Sequence, residues 1–197
     1  MQTVIVEDTR QKIGHHDNVS AFCSERGIRL IRLALRYGDY AALPVPEDID
    51  PWGVPDWLDE IRPQIQKRTT NIRVDTKFGL SEVYSNLVHD HDRVAAECDG
   101  AYESGLRLIF LVEESGIKSV DDVHKWANPQ IARYKMWKRG YENGRYCGTK
   151  IKKAPIESDR LQKMMKTFAE HHHCEWKFCD KAHTGERLME ILTDGNW

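Results

Sequence analysis

Apolar positions along this chain repeat at two spacings, and the changes between them divide it into strands and helices. Thr3–Thr9 (TVIVEDT) is β-branched and apolar until Glu7 and Asp8 appear, which reads as a buried strand ending at a polar rim. Ile28–Leu35 fits either period, but its length and the Gly38-Asp39 stop favour a strand. Asn71–Phe78 alternates, placing Ile72, Val74 and Thr76 on one face and Arg73, Asp75 and Lys77 on the other. Leu106–Glu113 is a further buried strand, and Glu175–Cys179 alternates as a last one. Helical spacing marks His16–Glu25, with Gly27 as its stop. A single long helix is expected over Ser81–Glu103, on Val83, Leu87, Val94, Ala95, Cys98 and Tyr102. Ser119–Asp122 opens a short helix with a variant capping box, and Asn128-Pro129 ends it. Glu157–His171 and Thr184–Leu192 are amphipathic helices.

Two stretches break the pattern. From Ala41 to about Arg68, Pro44, Pro46, Pro51, Pro55 and Pro63 punctuate acids and two tryptophans, which reads as an insertion with a short helix near Trp57–Ile65. Arg133–Lys153 contains Gly140, Gly144 and Gly148 and reads as a loop. The expected organisation is one domain over 1–197, with a proline-rich insertion at about 41–70 and a basic loop at about 129–155. Its class is α/β: a mixed central sheet flanked by helices.

Composition narrows the setting. Of 197 residues, 40% are hydrophobic and 30% charged, which excludes a disordered chain. No apolar run has membrane-spanning length, since the longest, Leu106–Val112, is strand-sized and holds Arg107. Neither a membrane partner nor a secretory signal is visible, and five irregularly spaced cysteines suit an intracellular, reducing compartment. Net charge is −2, yet Arg133–Lys153 holds eight Lys or Arg against one acid, so this segment carries +7 and the rest −9. Its cations alternate with Tyr134, Trp137, Tyr141 and Tyr146. Cations for phosphate and rings for unpaired bases make Lys135, Trp137, Lys138, Arg139 and Lys150 candidate DNA-binding residues.

Asp8, Asp39 and Asp75 lie at ends or polar faces of successive strands, where one sheet can bring them together. Clustered carboxylates repel unless a divalent cation binds them. Asp75 and Lys77, two apart on a strand, point the same way. A carboxylate for Mg²⁺ beside an ammonium that steadies the attacking water or developing charge is the basic equipment for phosphodiester hydrolysis. A D-x-K alone also arises by chance wherever acids and lysines cap strands.

Gly38-Asp39-Tyr40, Asp75-Thr76-Lys77 and the early Val6-Glu7-Asp8-Thr9-Arg10 resemble, in order and spacing, the motifs of the XPF family of structure-selective nucleases, within the PD-(D/E)xK superfamily. That family carries V-D-x-R, then G-D-Y, then E-R-K-x3-D. The resemblance implies a restriction-endonuclease-like fold, a DNA substrate, and Mg²⁺ or Mn²⁺ on Asp39 and Asp75. It also implies that Lys77 positions the water and that Asp8 orients or completes the site, with Arg10, Tyr40 and Glu82 as secondary candidates. Thr76 stands where the family has Arg, leaving that role empty or moved to Arg73, and the closing Asp falls on Ser81, beside Glu82. The paired helix-hairpin-helix module is missing, as in stand-alone catalytic domains of microbes and their viruses. Family nuclease domains pair through C-terminal helices, which makes Glu157–His171 and Thr184–Leu192 the candidate faces of a homodimer, though both could equally cover the sheet of a monomer.

Competing signals are weaker. His171-His-His-Cys174 with Cys179 and His183 suggests zinc, but the two cysteines fall on opposite faces of one strand. His89-Asp-His-Asp92 reads as a solvated polar face, and Cys147 has no assignable base. The expected function is a metal-dependent DNA endonuclease acting on branched or flap-like DNA. The alternatives are a non-catalytic DNA-binding scaffold on the same fold and a Holliday-junction resolvase-like nuclease.

Overall fold

The computed structural model describes residues 2–12, 14, 17–46, 50, 52, 59–143 and 154–194. Six strands form one sheet in the order β2-β1-β3-β4-β5-β6. They are β1 (Gln2–Asp8), β2 (Leu30–Leu33), β3 (Tyr40–Val45), β4 (Ile72–Lys77), β5 (Arg107–Glu113) and β6 (Cys174–Cys179). β1 pairs in parallel with β2, and β4, β5 and β6 run parallel to one another. β3 alone is antiparallel, to β1 and to β4. This reversal brings the ends of β1 and β4 to the same edge of the sheet as the start of β3.

Helices cover both faces. α1 (Asp17–Glu25) and α7 (Thr184–Leu192) lie on one, where Val19, Cys23, Leu188 and Leu192 pack on Ile5, Ala42, Val74 and Ile109. The two helices approach closely because Gly185 has no side chain: a Cβ there would stand 2.5 Å from that of Phe22. The other face carries α3 (Leu80–His89), α4 (His91–Glu103) and α6 (Ser158–His172), whose buried residues meet Leu108, Phe110 and Val112. Farther along that face, Ile65 of the short α2 (Ile65–Arg68) joins Val4, Val6, Ala41 and Leu43. The apolar stripes of α6 and α7, the candidate pairing faces of a homodimer, thus face the sheet of their own chain.

Arg73 shares a face with Leu108, its register partner, and is fully buried. Its guanidinium donates to the carbonyls of Thr70 (2.5 Å) and Ile72 (2.9 Å) and to Thr69 Oγ1 (2.7 Å). Burial pulls its pKa down to about 10.

Three expectations are corrected. Residues 41–45, assigned to the insertion, belong to β3 inside the sheet. The long helix is two, parted at Asp90 (φ −117°, ψ 23°). Residues 129–142 of the basic loop are helix α5 (Pro129–Glu142), opened by a proline, which is favourable at a first helical position.

Arg73→Ala removes a large buried side chain and leaves the Thr70 and Ile72 carbonyls short of a donor. It should destabilise the fold by about 2–5 kcal/mol, read from the urea midpoint at unchanged slope. A shift under about 1 kcal/mol would show that the surroundings close over the loss.

Candidate active site

The site forms where β1, β3 and β4 meet at one sheet edge. Gly38 holds a left-handed conformation (φ 65°), and a Cβ on it would come within 3.1 Å of both the Arg73 Cβ and the Val74 carbonyl, so the turn requires glycine. Next to it, the Asp39 N–H donates to the Val74 carbonyl (2.8 Å), and the Asp39 carbonyl accepts from the Asp8 N–H (2.7 Å). The Asp39 backbone therefore ties β1 to β4. Its side chain is fixed too: Oδ2 accepts from both the Thr76 N–H (2.8 Å) and the Thr76 hydroxyl (2.9 Å).

Asp75 and Lys77 are both buried, and the Lys77 ammonium lies 2.5 Å from Asp75 Oδ1 and 3.8 Å from Glu82 Oε1. With Asp8, Arg10, Asp39 and Arg93 they line a cleft of about 280 Å³. Burial pushes the Asp75 carboxyl up to about 7; Lys77 opposes the rise, while Asp39 and Glu97 add to it. Burial also works against the Lys77 ammonium, yet Asp75, Glu82 and Asp39 together hold its pKa above the ordinary lysine value.

The donor set fits a hard divalent cation. Asp39 and Asp75 each commit one oxygen to a donor, while Asp39 Oδ1 and Asp75 Oδ2 accept no hydrogen bond among the described residues. Two carboxylates with room left for water and phosphate oxygens suit Mg²⁺ or Mn²⁺ rather than zinc. Among the described residues, no group of three or more His, Cys, Asp or Glu is arranged to hold a metal.

The other sequence candidates divide. Asp8 lines the cleft, but both its oxygens are engaged, Oδ2 by Arg10 Nε (2.5 Å) and Oδ1 by the Leu35 N–H (3.1 Å). Arg10 reaches on to the Leu35 carbonyl (2.7 Å), and its side chain is largely exposed at the cleft wall. Glu82 sits at the rim and accepts from the Phe78 N–H (2.8 Å). Tyr40 is not in the cleft: it is fully buried on the opposite face with its hydroxyl on Glu7 Oε1 (3.1 Å), and burial followed by Glu7 drives its pKa upward. Arg73 is likewise outside, so it does not fill the role that Thr76 leaves open. Four cleft residues escaped the sequence reading: Gln11, Phe78, Arg93 and Glu97. Arg93 and Glu97 enter from α4 as an i, i+4 ion pair (3.5 Å), with Glu97 Oε1 3.4 Å from the Gly38 N–H. Their only sequence signal was a charged pair four apart on a helix, which solvated faces also carry.

Lys135, Lys138 and Arg139 are exposed and share one side of α5, with Lys138 3.8 Å from Glu142. Trp137 is half-buried and stacks on Tyr134 at 6.0 Å between ring centroids. Two residues beyond Lys135, it is turned by about 200° to the other side of the helix. Tyr134, four residues before Lys138, lies on the cation side, so a ring and a cation are neighbours there while Trp137 is turned away from Lys135. Lys150 and Cys147 lie outside the described residues. Of the histidines, His172 meets Asp99 (2.9 Å) and stands edge-on to His91 (5.9 Å between ring centroids), His91 packs edge-on against Phe168 (5.5 Å), and His173 stacks on Tyr102 (3.9 Å).

A mixed six-stranded sheet with helices on both faces is the fold of XPF-type nucleases. XPF from Aeropyrum pernix matches 95% of this chain and 62% of its own, at 15% identity and a TM-score of 0.50. The same protein in complex with DNA matches 98% and 64%, at 15% identity and 0.51. The chain thus spans a little under two thirds of the length of the XPF chains it resembles. No family model and no curated protein matches the sequence.

Because Asp8 is buried and accepts from the Leu35 N–H and Arg10, Asp8→Ala should cost about 1–3 kcal/mol of folding free energy. Thermal unfolding compared with wild type checks this; an unchanged midpoint would mean that neither bond stabilises the fold.

Proposed function

We propose that this chain is a metal-dependent endonuclease that hydrolyses phosphodiester bonds in branched or flap-like DNA. The observation that carries the reading is the meeting of Asp39, Asp75 and Lys77 in one cleft, each carboxylate with an oxygen to spare. The fold likeness to XPF, of which one solved form is a DNA complex, adds support.

In this reading Asp39 Oδ1 and Asp75 Oδ2 hold Mg²⁺ or Mn²⁺. Bound there, the ion would polarise the phosphate and supply a water of lowered pKa. Lys77, kept charged by Asp75, aims its remaining donors at the attacking water or at charge developing on the phosphate oxygens. Arg10 and Arg93, both largely exposed on the cleft walls, take flanking phosphates. Phe78, an exposed ring at the cleft edge, offers a face to an unpaired base.

Asp39→Asn and Asp75→Asn should each abolish cleavage while DNA binding persists, because the amide keeps volume but loses the charge that holds a cation. Lys77→Ala should slow cleavage by roughly 10²-fold or more. The assay is a panel of labelled flaps, forks, four-way junctions, duplex and single strands with Mg²⁺ or Mn²⁺. Near-normal cutting by both Asn variants would remove the proposed site, and binding without cutting by the wild type would favour the scaffold reading.

Exposed Lys135, Lys138 and Arg139 on one side of α5 would neutralise backbone phosphates. Replacing all three with Ala should flatten the slope of log affinity against log salt by roughly 0.9 for each duplex phosphate no longer neutralised. A wild-type slope would exclude this side of α5 as a DNA surface.

A further inference from the structure

Thr76 stands where the resembled family carries arginine, and here it has a different task. We propose that Thr76 is a positioning residue that locks the Asp39 carboxylate with Oδ1 turned to the divalent ion; this rests on the endonuclease reading above. The Asp39 backbone is already held on both sides, by the Val74 carbonyl and the Asp8 N–H, so the orientation of the carboxylate is the freedom left. Thr76 removes it with two donors from one residue, both on Oδ2, at 2.8 Å from its N–H and 2.9 Å from its hydroxyl. The carboxylate cannot swing without losing both bonds, and charge-assisted bonds of this kind are stronger than neutral ones.

The choice of residue follows from its place. Thr76 is buried in β4, where a β-branched side chain has a restricted rotamer, so its hydroxyl is aimed before Asp39 arrives. A hydroxyl also brings no positive charge, so the carboxylate keeps its full attraction for a cation. Lys77, one residue on, serves Asp75 instead. Consecutive residues of β4 thus hold the two carboxylates from opposite faces of the strand, each by a single oxygen.

Thr76→Val tests the hydroxyl alone, since it keeps shape, strand preference and the backbone N–H bond. Thr76→Ser keeps the hydroxyl and loses a methyl. Mn²⁺ binding to the DNA-free protein, followed by electron paramagnetic resonance and calorimetry, should weaken by about 10–100-fold in Thr76→Val, as for other residues that orient metal ligands. Thr76→Ser should stay within a few-fold of wild type, and Asp39→Asn should lose binding. Wild-type Mn²⁺ affinity in Thr76→Val, with binding lost in Asp39→Asn, would overturn the lock and leave the endonuclease reading standing. Equal weakening in both Thr76 variants, alongside lowered melting, would reduce Thr76 to a structural role and also overturn it. Undiminished binding in Asp39→Asn would remove the metal reading itself.

Discussion

Two carboxylates in one partly dry cleft repel, and much of the surrounding structure exists to hold them there. The repulsion is visible at Asp75, whose carboxyl is pushed up to about 7 by burial, with Asp39 adding to it. Left to themselves, such groups would turn outward or take up a proton. Asp39 is prevented by a turn that only Gly38 can make, by backbone bonds to two strands, and by Thr76. Asp75 is prevented by its place in a strand buried on both faces and by Lys77. Lys77 is in turn kept charged by the acids around it, although burial works against it. The antiparallel β3 is the topological device behind this, because it starts at the edge where β1 and β4 end.

The same constraint explains why one face of the sheet has two apolar clusters and not one. Leu108, Phe110 and Val112 belong to the first, Val4, Val6, Ala41 and Leu43 to the second. The polar row of β4 runs between them, with Arg73 deep and Asp75 and Lys77 at the cleft. The two terminal nitrogens of Arg73 are satisfied by the carbonyls and the threonine of its own neighbourhood, while its buried Nε has no hydrogen-bond partner among the described residues. A second acid in that row would deepen the repulsion that the site already carries.

Much of this was legible in the sequence because period-two alternation is a local signal: Asn71–Phe78 displayed Arg73, Asp75 and Lys77 on one face without any tertiary knowledge. What escaped depended on tertiary packing. β3 was hidden by Pro44, since proline has no N–H for a ladder. The Ala42 carbonyl accepts from Thr70 N–H, so Ala42 faces the β4 side, and Pro44, two residues on, turns the same way. β4 is registered with β3 only at Tyr40, so no partner there misses the proline's N–H. The break at Asp90 was hidden because Val83 and Leu87 of α3 and Val94 and Cys98 of α4 stay in phase across it. Arg93 and Glu97 looked like a solvated pair because nothing local reveals that α4 turns them toward β3 and β4.

Charge balance in the cleft bears on how the proposed substrate is held. Its walls carry Asp8, Asp39, Asp75, Glu82 and Glu97 against Arg10, Lys77 and Arg93, an excess of acids. A polyanion gains little from such a surface by itself, so affinity for DNA has to be generated elsewhere, and the site contributes alignment and chemistry instead. In the proposed function the exposed cations of α5 meet that need. Placing them on a separate helix keeps them from neutralising Asp39 and Asp75, which must stay anionic to attract a divalent ion. Under the proposed function binding and catalysis require opposite charge, and the chain carries both: a basic segment on an otherwise acidic sequence, and an acidic cleft whose buried cation, Lys77, is held in place by Asp75.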